Sequence, residues 1–208
     1  MKKRKKKLAI TVTMLLSFIV MFLAAEPGVL ADLPYFADEF GVDDASGDKN
    51  SNILMPVMIC NTAKAIPCIL FGIHYDKSIL GLASVRLGEL TSDWNTPTVN
   101  NDFDWGAAVA LVDNGNPIEA SSTGSVAELE FNVTGEPGQI SHIDFYDLNY
   151  LPPHCDDIYC GIQLSDTDYI LGTAHPRNGT FTVVVHTVPA ASGITILLLL
   201  NALLGPGL

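Results

Sequence analysis

The sequence predicts an all-β fold, a sandwich of two facing sheets with about nine strands. Three observations carry that reading. Short apolar segments recur along the chain with turn residues between them. One of them, residues 125–133, alternates apolar and polar side chains with a period of two. No segment holds a helical period for ten residues before Gly, Pro or Asn interrupts it.

The elements follow in order. Residues 32–50 are acidic and turn-rich, with one short strand expected at 35–42. A strand at 53–60 ends at Asn61 and Thr62, and one at 68–75 ends at Asp76 and Lys77. Residues 79–87 carry β-branched side chains and stop at Gly88. Residues 103–112 stop at Asp113, Asn114 and Gly115, a strong turn signal. In 125–133, Ala127, Leu129, Phe131 and Val133 share one face, while Glu128, Glu130 and Asn132 take the other. Gly135, Pro137 and Gly138 end that strand. Residues 140–148 alternate again, with Ile143, Phe145 and Asp147 in one phase. Further strands are expected at 158–164, 169–172 and 180–188, the last with Phe181, Val183 and Val185 on one side.

The two ends read differently. Lys2, Lys3, Arg4, Lys5, Lys6 and Lys7 precede an uncharged run, 8–25, and small or modest side chains stand at Val29 and Ala31. That is the pattern of a secretory signal cleaved after Ala31, with a retained anchor as the alternative. Residues 32–188 are then one domain. Residues 189–208 are a linker and a short apolar tail without following basic residues. A degenerate surface anchor, a final strand with a disordered end and an unnatural terminus are the alternatives for it.

Six of the eleven Lys and Arg, but only one of the twenty-three acids, lie in residues 1–31. The exported part of 177 residues therefore holds five basic and twenty-two acidic side chains, formally −17. Such a surface repels nucleic acid. It suits a saline or calcium-rich exterior, where carboxylates meet a hard cation.

Four cysteines, Cys60, Cys68, Cys155 and Cys160, all lie in the exported part. Three pairings are open. Cys60–Cys68 and Cys155–Cys160 are favoured because each closes a short loop. Four free thiols and a zinc site are the alternatives, His154 beside Cys155 being the only pointer to zinc.

From Ile53 to Val185 the chain resembles the cohesin family. The matching pieces come in that family's order: Met55–Pro56–Val57–Met58–Ile59, then Phe71–Gly72–Ile73–His74–Tyr75–Asp76–Lys77–Ser78–Ile79–Leu80, then Leu87–Gly88–Glu89–Leu90, then Gly124 through Val133. The resemblance implies a nine-stranded jelly roll, related to some carbohydrate-binding modules, that receives a dockerin or another extracellular protein. It places the binding surface at Leu70, Gly72, His74, Val112 and Asp113. It requires no cofactor, since in such a pair calcium belongs chiefly to the dockerin. The sequence departs from the pattern where cohesins carry acids: Ile69–Leu70–Phe71 offers none, and Val112 stands where an acid is expected, with Asp113 adjacent. Within the same pieces, Tyr75 is expected to cover a sandwich edge, Asp76 to accept turn amides and Leu80 to fill the core.

Trp94 and Trp105 flank a loop rich in Asn and Asp and are candidate platforms for a polysaccharide, against a core position for Trp105. Candidate calcium ligands are Asp43, Asp44 and Asp48, or Asp156, Asp157, Asp166 and Asp168. Sequons occur at Asn132 and Asn178. The five His are scattered, and nucleophile-elbow, zinc-protease and phosphate-loop motifs are absent, so catalysis is not expected. A carbohydrate-binding module and a structural surface-layer or adhesion domain stand as alternatives to a protein-binding module.

Overall fold

The computed structural model describes residues 32–153, 155 and 158–185. Thirteen strands lie among them: β1 (Tyr35–Gly41), β2 (Ala45–Asp48), β3 (Asn52–Cys60), β4 (Cys68–His74), β5 (Leu80–Leu87), β6 (Thr98–Asn100), β7 (Gly106–Val112), β8 (Gly124–Val133), β9 (Ile140–Ile143), β10 (Tyr146–Asp147), β11 (Gly161–Ser165), β12 (Leu171–Arg177) and β13 (Gly179–Val184). The expected signal at 1–31 and tail at 189–208 fall outside the described residues, as do His154, Asp156 and Asp157.

One hydrogen-bonded path runs β5–β8–β3–β1–β12–β11–β4–β7–β6, with β10 paired to β11. A smaller sheet has the order β2–β13–β9. Antiparallel ladders build both halves of the long path. The halves meet where β1 runs parallel to β12 through two register shifts. The path curls round without its end strands β5 and β6 pairing, and rings from strands well apart along it touch. Phe40 of β1 lies 5.1 Å from Phe71 of β4, and Phe145 completes the cluster at 5.9 and 6.0 Å. All three are fully buried. Each contributes roughly 1.5–3 kcal/mol by burial, which is why an alternating sequence collapses into two layers. This is the expected all-β sandwich of jelly-roll type, nearly closed into a barrel.

Period-two alternation predicted most strands to within a few residues. Ala127, Leu129, Phe131 and Val133 are all buried, as the phase requires. Val126 is buried as well. The cause is a register shift: Val57 pairs with Ala127 but Met58 pairs with Ser125, leaving Val126 as the extra residue of a bulge. The turn after β4 also forms as expected. Ser78 donates to Asp76 Oδ1 from its backbone amide (2.8 Å) and its hydroxyl (2.6 Å), Leu80 is fully buried, and Tyr75 is buried edge-on against Phe131.

Two strands had no signal in the side-chain pattern. β2 falls in the acidic stretch predicted to be turn, because it pairs in parallel with β13 from Phe181↔Ala45 to Val184↔Asp48. β6 pairs with β7 although all three of its residues are exposed. Two other segments are shorter than expected. β7 begins only at Gly106, where φ of +149° excludes other residues and a Cβ would lie 1.9 Å from the Ile73 carbonyl oxygen. Residues Ile158–Cys160 form a 3₁₀ turn ahead of β11.

Half of the expected cystine pairing is corrected. Cys155 and Cys160 are disulfide-bonded, with Cα atoms 5.8 Å apart. Cys60 and Cys68 are free thiols. Cys60 ends β3 opposite Glu39 of β1, whereas Cys68 opens β4 between Val112 of β7 and Ser165 of β11. Short spacing in sequence spans two strands that are not neighbours in the sheet, and a disulfide needs the Cα atoms close.

Candidate functional site

The outer face of β4, β7 and β6 carries most of the residues singled out for binding. Along β4, Ile69, Phe71 and Ile73 are fully buried in the core, so Cys68, Leu70, Gly72 and His74 point outward. Along β7, Ala107, Val109 and Leu111 point inward and Ala108, Ala110 and Val112 outward. The register sets the outward residues in rungs: Cys68 beside Val112, Leu70 beside Ala110 and Thr98, Gly72 beside Ala108 and Asn100, His74 beside Gly106.

The two ends of this face differ. At the Cys68 end the rungs are accessible. Val112 is 40% exposed, and Cys68, Leu70 and Ala110 are half-buried. Asp113 follows directly, half-exposed, its amide bonded to the Pro67 carbonyl at 2.9 Å. Burial pushes the Asp113 carboxyl up, the Gly115 amide opposes this, and the Asp93 charge adds to it. Burial also pushes the Cys68 thiol up to about 11, with the Asp113 charge adding. Cys68 is therefore a neutral thiol at physiological pH, and this end of the face is apolar with one carboxylate at its margin.

At the His74 end the face is covered. The 3₁₀ turn Ile158–Cys160 lies directly on Gly72, where a Cβ would sit 2.5 Å from the Cys160 carbonyl oxygen and 2.6 Å from that of Tyr159. Only glycine admits the turn this closely. His74 is buried between Trp105, stacked at 4.2 Å, and Tyr146, edge-on at 4.6 Å. Its Nε2 lies 3.7 Å from Cys155 Sγ. Gly72 and His74, expected in the binding surface, are thus beneath other chain. The expectation is corrected for both, because the Ile158–Cys160 turn lies over Gly72 while Trp105 and Tyr146 enclose His74. Leu70, Val112 and Asp113 keep accessible surface. The boundary between the two ends is a shallow groove of about 190 Å³ between Leu70, Thr98, Phe103, Ala110 and Tyr159.

The same geometry adds residues that sequence reading missed. Thr98, Ala110 and Tyr159 border the groove. Run on from Gly106, the alanine-rich stretch of β7 was the available signal, since small residues on two adjacent outward strands mark where other chain can settle. Tyr159 left no comparable trace.

The polysaccharide platform is corrected as well. Trp94 is buried, its Nε1 donating to the Asn116 carbonyl at 2.8 Å, so it anchors the turn after β7. Trp105 is neither a core residue nor an open platform. It is half-buried and engaged in parallel stacks with His74 and with Phe103, the latter at 4.6 Å.

Among the described residues, the acidic candidates for calcium do not form a cluster with metal-ligand spacing. Asp43 pairs with Arg177, and Asp44 Oδ1 accepts the Thr180 amide at 2.8 Å. Asp48 ends β2 opposite Val184. Asp166, buried, accepts Lys64 Nζ at 2.6 Å and the amides of Asp168 and Ile170 at 3.0 and 2.8 Å. Burial raises its carboxyl, but Lys64 and the two amides outweigh burial and hold it below its ordinary value. These partners make it a structural carboxylate that closes the turn from β11 to β12. The one cluster with metal-ligand spacing among the described residues is His74, Cys155 and Cys160.

The model of the cohesin domain family matches residues 39–147. The match stops before the segment that covers Gly72. Similar solved structures include a non-cellulosomal cohesin from the hyperthermophilic archaeon Archaeoglobus fulgidus, 22% identical with a TM-score of 0.54, covering 76% of this chain and 94% of that one. A type I cohesin–dockerin complex from Clostridium thermocellum gives 14% identity and a TM-score of 0.56, covering 76% and 99%. The sixth cohesin of scaffoldin B from Acetivibrio cellulolyticus, in complex with a Cel5 dockerin mutant, gives 17% and 0.54, covering 74% and 99%. No curated protein gives a match.

Proposed function

This chain belongs to the cohesin family, and on that premise we propose that it captures a dockerin-bearing protein through the accessible end of its β4–β7–β6 face. It is a non-catalytic interaction module. The observation that carries the choice of surface is the contrast along β4: Leu70, with Ala110 across the ladder and Val112 one rung away beside Cys68, stays accessible where Gly72 and His74 do not. The partner meets a small apolar patch of Leu70, Ala110 and Val112. Thr98 supplies a hydroxyl and Asp113 a carboxylate at the rim. Desolvated apolar side chains supply affinity, and the rim fixes orientation.

We further propose that residues 1–31 direct export, that 32–188 form the module, and that 189–208 tether it at the cell surface. The acidic balance of the exported part supports an extracellular setting.

The test is calorimetric titration of the 32–188 chain with dockerin modules from the same organism, with calcium and with a chelator. Calcium-dependent 1:1 binding that Leu70→Asp weakens is the expected result. Binding untouched by Leu70→Asp and Val112→Asp would move the partner to another surface. Absence of binding to every dockerin would remove the dockerin as partner.

A further inference from the structure

We propose that His74, Cys155 and Cys160 form a latent zinc site, occupied when the Cys155–Cys160 disulfide is reduced. The ligand atoms of these three residues all lie within 4.8 Å of one another, and all three residues are buried. The separation of His74 Nε2 from Cys155 Sγ is 3.7 Å. A tetrahedral zinc ion holding one imidazole nitrogen and one thiolate sets those atoms roughly 3.6 Å apart, so this pair already has the spacing of two ligands of one ion. Two thiolates on zinc stand roughly 3.8 Å apart, and the observed Cα spacing of 5.8 Å accommodates that separation by side-chain rotation.

Two features preorganise the site. His74 is fixed by its stack on Trp105 and the edge of Tyr146, so its ring does not have to be ordered when a metal arrives. Gly72, two residues earlier on the same strand, lets the backbone of Tyr159 and Cys160 rest on β4, which holds Cys160 beside the histidine independently of the S–S bond. Charge favours the same ion: two thiolates neutralise a divalent cation, and neutral imidazole adds none, so the buried complex carries no net charge. Three protein ligands leave the fourth position for a water or another donor.

Disulfide and metal are alternative occupants of the same two sulfurs. A dithiol supplies two electrons and two protons and closes to its own disulfide, or a phosphine supplies two electrons and takes the oxygen of a water molecule whose two protons go to the sulfurs; either cleaves the S–S bond to two thiols. Zinc then displaces both protons to water and takes the thiolates and the His74 nitrogen. Oxidation of the thiols by a disulfide oxidant expels the metal and restores the cystine.

The probe is Co²⁺ followed by Zn²⁺, added anaerobically to the phosphine-reduced full chain carrying Cys60→Ser and Cys68→Ser, which removes the two competing thiols. One Co²⁺ per chain is expected, with an intense sulfur-to-cobalt band and tetrahedral visible bands that Zn²⁺ abolishes. His74→Phe keeps an aromatic ring against Trp105 and removes the nitrogen, and it should weaken binding by more than the roughly 10–100-fold that loss of a mere outer-shell partner costs. Cys155→Ser and the unreduced chain should not give the band. Failure of the reduced chain to bind, with two thiols titrating and the β circular dichroism intact, would overturn the proposal. So would equal affinity in His74→Phe, or collapse of the β spectrum on reduction alone.

Discussion

The two ends of strand β4 present the same kind of sequence to the outside and do opposite things with it. Leu70 remains half-buried and open to a partner, while His74, four residues on in the same phase, is sealed. Strand periodicity assigns both to the outer face, and rightly so. What separates them is the chain that lies over the His74 end: Trp105 stacks on His74, Asp144 bridges to it, Tyr146 of β10 meets it edge-on, and the Ile158–Cys160 turn settles on Gly72. Outward-facing and solvent-facing are therefore different properties, and the second depends on which segment comes back.

The largest expected effect comes from breaking the covered end. Gly72→Val places side-chain atoms where the Cys160 and Tyr159 carbonyls lie, and it should cost about 3 kcal/mol in urea unfolding. If it is neutral instead, the turn is not packed on β4 and the two ends are equivalent. At the open end the effect should appear in binding. Leu70→Asp should weaken a bound dockerin on the order of 10–100-fold, read by calorimetry, with an unchanged β spectrum. Removing the disulfide by Cys155→Ser with Cys160→Ser should lower stability by about 2 kcal/mol, since the closed loop is short. Hydrogen exchange should rise at the covered end of β4 and not at Cys68.

The smallest effects concern pH, and they carry opposite signs at two carboxylates. Asp166 is held below its ordinary value, so its contribution is present above the unfolded-state pKa and is lost as pH falls through the lower folded-state value. Asp166→Asn should flatten the acid limb of the stability curve. Asp113 is raised, so the folded state favours its protonated form. That contribution is present below the unfolded-state pKa and is lost as pH rises through the folded-state value. Asp113→Asn should stabilise slightly at neutral pH. Urea midpoints from pH 2 to 7 for both variants check the pair.

The same contrast explains which parts of the molecule were legible in advance. Turn chemistry at Asp76 was readable because Ser78 stands two residues away and the hydrogen bonds close locally. The small sheet was not readable, because β2 is held by backbone pairing to β13, far along the chain from Phe181↔Ala45 to Val184↔Asp48, and pairing of that kind leaves no side-chain pattern. Trp94 stood as a candidate surface ring because it lies in a polar loop. The buried site it fills is made by the turn carrying Asn116.

By itself the sequence determined the alternation, hence two layers, the inward residues Phe71, Leu129 and Phe131, and the outward phase of Leu70 and His74. Periodicity is a local property, and burial of one face enforces it wherever it occurs. Only the tertiary structure decided which cysteines meet, where Trp105 stacks and which half of the outer face stays open. Each of those depends on segments far apart in the chain arriving at one place, and at Gly72 on the absence of a single carbon atom.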